Sequence, residues 1–368
     1  MRIGIDARLY QKGLGIGRYI EQLLLQYDTM VSPEDTLFVF LTSEAAQRFR
    51  PKNPRIILVT TDIPHYSFAE QIVFSLILLQ YHLDLVHFPH FNIPLLYCRP
   101  FVVTIHDCIL LKHPESATSA ASTRFPVLHW VRYQGYRIAL YNATHRARRI
   151  ITISEGVKKD IQTLLHIPQE RIVVQYEGVI PCSPRTTTTE AEEKYLLYVG
   201  NAYPHKNLTL LLDMMENLRT KIPDIHLYCV GQEDFFMKKF CDEIVKRKLS
   251  DRVTHRGNVS DTELCTLYEN AFAFVFPSLE EGFGLPPLEA MRSGCPVIAS
   301  NASVMPEILG DAPRYFSPHN VHELLEKVID LWENKAVRDT CIQKGIIQAR
   351  RYTWEACARE TYALYHII

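Results

Sequence analysis

From Arg2 to Ala299 the chain repeats one pattern, a short run of Val, Ile, Leu and Phe followed by a stretch with helical periodicity. The runs are Arg2–Ala7, Leu37–Leu41, Ile56–Val59, Leu85–Phe88, Phe101–Ile105, Arg149–Ile153 and Ile172–Val174, then Tyr195–Val199, His226–Val230, Val253–Arg256, Ala273–Phe276 and Pro296–Ala299. Strands that alternate with helices build doubly wound α/β sheets. At 368 residues the chain is long enough for two such domains. Glu177–Glu193, with Pro181, Pro184 and the run Thr186–Thr189, has the composition of a linker. The expected division is therefore 1–178, a linker at 179–193, and 194–351. The last segment, 352–368, carries Trp354, Ala358, Tyr362 and Tyr365 at roughly helical spacing.

Composition excludes several classes. A net charge of −1 gives no reason to expect nucleic acid, and 47% hydrophobic with 22% charged residues is ordinary for a soluble globular protein. Met1-Arg2 leads straight into a strand, so no signal peptide is expected, and the longest apolar run, Ile72 to Leu79, is far too short to cross a membrane. Nine cysteines without a CxxC pair suggest reduced thiols and a cytoplasmic chain. Charge is nevertheless uneven. No acidic residue falls between Glu115 and Glu155, whereas Arg124, Arg132, Arg137, Arg146, Arg148 and Arg149 do, interleaved with Trp130, Tyr133, Tyr136 and Tyr141. That mixture suits either a solvated basic face or an anionic membrane surface, met through 124–149.

The chemistry concentrates after the strands, where open α/β sheets bind ligands. Glu281-Gly-Phe-Gly-Leu-Pro-Pro-Leu-Glu289 follows the apolar strand AFAFVFPS and opens a helix with Pro286 and Pro287. Amides exposed at a helix start favour a phosphate, and a carboxylate beside them accepts hydrogen bonds from sugar hydroxyls. Phosphate and sugar together suggest a sugar nucleotide. A capping carboxylate with an ordinary helix glutamate, or a glycosidase pair, are the competing readings of the two acids.

These residues resemble the Glu-x7-Glu signature of retaining GT-B glycosyltransferases of family 4. The likeness extends in order through GIDARLYQKGLGIGRYIEQLL, VVTIHDCILLKHPE, ITISEGVKKDI, YVGNAYPHKNLTLLL and GNVSDTELCTLYENAFAFVFPSLEEGFGLPPLEAM. It implies two Rossmann-like domains facing across a cleft, with the terminal helix returning to the first. It also implies hexosyl transfer, best matched by mannose from GDP-mannose, from a nucleotide sugar to a glycan or lipid-linked acceptor. UDP-glucose and a catalytically inactive nucleotide-sugar-binding relative are the alternatives. Glu289 would bind the ribose, and Glu281 the transferred sugar. Gly282, Phe283, Gly284 and Leu285 would bring amides to the donor, with Gly15, Gly17, Asn201 and Val259 also on the donor side. Lys206 would stabilise the leaving diphosphate. His205, also on the donor side, stands where the family often has arginine, which leaves its charge open. His106 would contact the transferred sugar.

Other motifs read more weakly. Gly13-Leu-Gly15-Ile-Gly17-Arg18 is GxGxG, not the dinucleotide GxGxxG, and could be a bland flexible loop. Arg18, His87 and Asp107 are candidates for the acceptor side. His87 and His90 could pass for a metal pair but lack a third ligand, and no DxD occurs, so a metal-independent enzyme without cofactor is expected.

Overall fold

The computed structural model describes residues 1–10, 15–117, 126–182 and 194–368. Gly13, Arg124 and residues 183–193 of the expected linker lie outside them. Two compact units result. One comprises Met1–Leu111, Val127–Gly178 and Thr353–Ile368; the other comprises Lys112–Pro126 and Val179–Tyr352.

The first unit holds a wholly parallel sheet of β1 (Arg2–Asp6), β2 (Thr36–Leu41), β3 (Ile56–Thr60), β4 (Leu85–Phe88), β5 (Phe101–Ile105), β6 (Arg149–Thr152) and β7 (Ile172–Val174), in the order 3-2-1-4-5-6-7. The second holds β8 (Tyr195–Val199), β9 (His226–Val230), β10 (Val253–Gly257), β11 (Ala273–Phe276), β12 (Val297–Ser300) and β13 (Arg314–Phe316), in the order 10-9-8-11-12-13. Both are doubly wound. Winding reverses between β1 and β4 in the first sheet and between β8 and β11 in the second, and those switch points leave a crevice at the strand ends. Only β13 was not legible as a strand. It has three residues, two of them half-buried, so it carries neither a long apolar run nor an alternation.

The terminal helix, Trp354–Tyr365, belongs to the first unit. Thr353 caps it by accepting from the Ala356 amide at 3.2 Å. Its buried residues Trp354, Cys357, Ala358, Thr361, Leu364 and Tyr365 recur at three- and four-residue intervals, which is one helix face. That face packs on the helix Gly15–Met30, whose Tyr19, Ile20, Leu23, Leu24 and Tyr27 are buried. The Tyr27 and Tyr365 hydroxyls share a hydrogen bond of 3.0 Å.

Four expectations need correction. Gly15 and Gly17 sit in the first turn of Gly15–Met30, so this part of the glycine motif is helix, not loop. Glu177 and Val179 are buried, so the expected linker begins inside packed structure. Lys112–Pro126 groups with the second unit, where Lys112 pairs with Glu280 at 2.9 Å and Ser116 bonds His205 at 2.8 Å. Finally, Cys182 and Cys265 form a disulfide, leaving seven free cysteines among the described residues. Their separation of 83 positions offered no spacing signal.

Gly178 marks a tight approach. A Cβ there would lie 2.1 Å from the Trp354 nitrogen and 2.5 Å from the Thr353 carbonyl carbon. Both are backbone atoms and cannot swing aside. Gly178→Ala should therefore destabilise the first unit by roughly 1–3 kcal/mol or more. Urea unfolding followed through Trp354 fluorescence checks it, and an unchanged midpoint would contradict the packing described.

Candidate functional site

In the second unit, the segments leaving β8 and β11 flank the switch point. After β8, Gly200 and Asn201 lead to a single turn, Pro204–Lys206, closed by Asn207 at φ +58. The Asn207 side-chain amide donates to the Pro277 carbonyl at 3.2 Å and the Pro318 carbonyl at 2.8 Å, which fixes the turn. Lys206 then donates to Glu281 Oε1 at 2.6 Å, and its ammonium lies 5.8 Å from the centre of the Phe276 ring. Both partners are mostly buried, so this ion pair is far less screened than a surface one. Beside it, Glu280 receives Lys112 at 2.9 Å and the Ser303 hydroxyl at 2.6 Å.

The turn that follows is built for close approach. Gly284 caps the helix Leu285–Arg292 at φ +97, where a Cβ would lie 2.7 Å from Met305 Cε. Pro286 and Pro287 have no N–H, so Leu285 supplies the first helical donor. Phe283 is buried edge-on against Tyr352 at 5.4 Å, holding the turn down. Glu289 is half-buried one turn into the helix and accepts from the Tyr268 hydroxyl at 3.1 Å. Val259 is half-buried between β10 and the helix Asp261–Asn270. The Asn201 Oδ1 is buried without a protein partner, an acceptor left for something else.

His205 is settled by its surroundings. It is buried, with Nδ1 2.8 Å from the Ser116 hydroxyl. Burial, helped by Lys206 and His113, pushes its pKa down to about 3. It is therefore neutral at physiological pH and supplies no second positive charge.

In the first unit, the strand ends at the β1/β4 switch point carry a buried charge network. Arg8 donates to Asp6 at 2.8 and 2.7 Å and to Glu70 at 2.7 Å, and its guanidinium lies 3.7 Å from the Phe74 ring centre. Burial pushes the Glu70 carboxyl up, but His65, Arg8 and Asn92 outweigh it and hold it at about 2. The sequence reading missed this network. Its one signal was Asp6 and Arg8 two residues apart at a strand end.

His106, following β5, has both ring nitrogens engaged. Nε2 meets the Pro89 carbonyl at 2.9 Å and Nδ1 meets Glu177 at 3.3 Å. Tyr19 stands edge-on to the ring at 4.8 Å. Asp107, next in the chain, accepts from the Ile109 amide at 3.0 Å, and Arg18 lies in the first turn of Gly15–Met30. His87 is different from its expected role. It is fully buried, its Nδ1 2.7 Å from the Tyr365 hydroxyl and its Nε2 2.8 Å from the Thr104 hydroxyl, so it is a satisfied core residue and lines no acceptor pocket. Among the described residues, no group of three or more His, Cys, Asp or Glu side chains is placed to hold a metal ion.

Comparison with solved structures matches this architecture over the whole chain. The Anabaena protein HepE, in complex with UDP and glucose, aligns at a TM-score of 0.76 and 18% identity, covering 100% of both chains. WaaG, a glycosyltransferase involved in lipopolysaccharide biosynthesis, aligns at 0.71 and 16% identity over 98% of each. Two doubly wound sheets of this order, with a lysine–glutamate pair beside a glycine-capped helix, are those of a glycosyltransferase with the GT-B fold. Residues 15–181 match the family described as Glycosyltransferase Family 4, and residues 183–348 match Glycosyl transferases group 1. O-antigen chain mannosyltransferase B of Escherichia coli is 30% identical over 77% of this chain and 74% of its own length. O-antigen chain mannosyltransferase RfbU of Salmonella typhimurium is 32% identical over 62% of this chain and 59% of its own. The chain belongs to glycosyltransferase family 4 and is an enzyme of that class.

His87, His90 and His205 give a pH prediction. Burial, with the neighbouring His106, pushes His87 down to about 3, and His90 is likewise pushed to about 3 by burial, His106 and His65. With His205, these groups bind protons on unfolding but not when folded between about pH 3 and 6.5, so stability rises with pH there. Acidification from about pH 7 to about pH 5 should lower the urea midpoint, and His205→Asn should flatten the slope. A midpoint independent of pH would contradict the neutral state of these three rings.

Proposed function

We propose that this glycosyltransferase moves mannose from GDP-mannose to a glycan or lipid-linked acceptor, with retention of anomeric configuration and without a metal ion. The observation that carries the reading is the Lys206–Glu281 pair beside the Gly284-capped helix. An ammonium held in a mostly buried, weakly screened setting stabilises charge as it develops on a departing diphosphate. Glu281, before the glycine turn, and Glu289, one turn into the helix after it, suit sugar and ribose hydroxyls respectively. The buried Asn201 Oδ1 is a further acceptor for a nucleotide N–H or hydroxyl. No covalent nucleophile stands out among the donor-side residues, so we favour leaving-group departure with attack on the same face. Mannose as the sugar is supported by the mannosyltransferase relatives in Escherichia coli and Salmonella.

UDP-glucose is the second donor to test, because HepE binds UDP-glucose on the same fold. A thermal-shift panel of GDP, UDP, ADP and their sugar conjugates without metal decides the base. GDP and GDP-mannose should raise the melting temperature, and Glu289→Ala should remove the shift. Lys206→Ala should keep binding measurable and lower kcat by about 10²–10³-fold. Unchanged donor binding by Glu289→Ala would overturn the assignment of the turn.

Peripheral contact with an anionic membrane is the remaining part of this reading. No helix among the described residues is long and apolar enough to cross a membrane. The first unit nonetheless exposes Trp130, Ile138 and Tyr141 on the acid-free helix Pro126–Arg146, and Phe68, Ile72 and Leu76 on a segment whose one acid, Glu70, is buried. Apolar side chains with arginines and no exposed acid suit anionic headgroups. Flotation with phosphatidylglycerol vesicles at low salt should carry the protein upward. Neutral vesicles should not, and absence of binding to either would remove the membrane from the proposal.

A further inference from the structure

We infer that Glu177 is a positioning residue, holding His106 as a doubly protonated, cationic ring that cannot serve as a base. The geometry of the two ring nitrogens carries it. The Pro89 carbonyl has no proton to give and sits 2.9 Å from Nε2, so that nitrogen donates. The Glu177 carboxylate sits 3.3 Å from Nδ1 as an ion-pair partner, and a proton on that nitrogen completes the pair. A ring that donates from both nitrogens is an imidazolium.

Several side chains surround the charged form. Glu177 stands after β7 and Asp107 follows in the chain, and these are the acids that face the ring. His87 on β4 and His90 beyond it bear on it as neutral rings, and Tyr19 of Gly15–Met30 stands edge-on to it at 4.8 Å. Burial and the charge of Glu177 push up the thiol of Cys357 on the terminal helix. Glu177 itself is 5% exposed and is followed by Gly178, clamped against Thr353 and Trp354. A buried carboxylate that fixed in place needs a cation, and His106 is the one it meets. Burial disfavours charge on His106, but the Glu177 bond and charge, the Pro89 carbonyl and Asp107 outweigh it and raise its pKa above the ordinary 6.5. The ion pair therefore contributes stability below 6.5, and that contribution is lost as pH rises through the raised value.

A functional consequence follows, and this part rests on the glycosyl-transfer reading. With both nitrogens spent and the ring cationic, His106 takes no proton from an acceptor hydroxyl. Its contribution is a fixed orientation and a local positive charge. The activating base must be another group, or the departing phosphate oxygen itself.

Nitrogen-15 NMR of the histidine side chains reads this directly, with His106 assigned by comparison with His106→Gln. In the unmodified protein, both His106 nitrogens should carry protons at pH 7. In Glu177→Gln, the ring's midpoint should fall and the ring should become neutral at that pH. Glu177→Asp should restore part of the shift, and Asp107→Asn should move it less than Glu177→Gln does. The pH at which kcat/KM begins to fall should move down by the same interval in Glu177→Gln. A neutral His106 tautomer at pH 7 in the unmodified protein would overturn the inference without any variant. So would a Glu177→Gln protein that loses activity equally at all pH values while His106 titrates as before, since that is a merely structural effect. If the protein transfers no sugar, the transferase reading fails, and the NMR result still decides the charge state.

Discussion

A strand paired in parallel on both sides and covered by helices on both faces has nowhere to put a charged side chain except its ends. Both sheets obey this constraint. β4, β5, β11 and β12 are buried along their whole length, and the polar chemistry lies beyond their last residues. The switch points decide which ends matter, since only there do adjacent connections run to opposite faces and leave room. Lys206 and Glu281 come from the connections after β8 and β11, the two strands that flank the reversal in the second unit. Asp6, Arg8 and Asn92 hold the corresponding place in the first.

Charges pressed into those ends are paired, and the pairing sorts the histidines into two kinds. Arg8 has two carboxylates, Lys206 has Glu281, and His106 has Glu177. His87 and His205 have hydroxyl partners instead, and burial leaves them neutral. One residue type thus plays opposite electrical parts within a few residues of the same strand ends. What decides is whether the partner is an ion or a hydroxyl group.

That distinction marks the limit of what could be read from the chain. Strand positions were legible because long apolar runs have few other uses, and the Glu281–Glu289 turn was legible because its glycines and prolines have local conformational meaning. Partners were not. His87 and His106 both sit at the ends of apolar runs, and nothing local says that one meets Tyr365 and the other Glu177, 278 and 71 positions away respectively. Glu177 was hidden in a segment whose prolines and threonines gave it the look of a linker. Cys182 and Cys265 had no motif to announce them. His205 seemed an ambiguous substitute for arginine until Ser116 and burial fixed it as neutral.

The place of the terminal helix has a consequence for synthesis. The first sheet is complete once β7 has been made, but the face of Gly15–Met30 that carries Tyr27 and the ring of His87 wait for Tyr365, made after the whole second unit. A nascent chain paused anywhere between them would hold the first sheet with an uncovered aromatic seam. Such a seam is a natural holding point for a chaperone. The order of translation, as much as the final packing, therefore bears on how this enzyme reaches its native state.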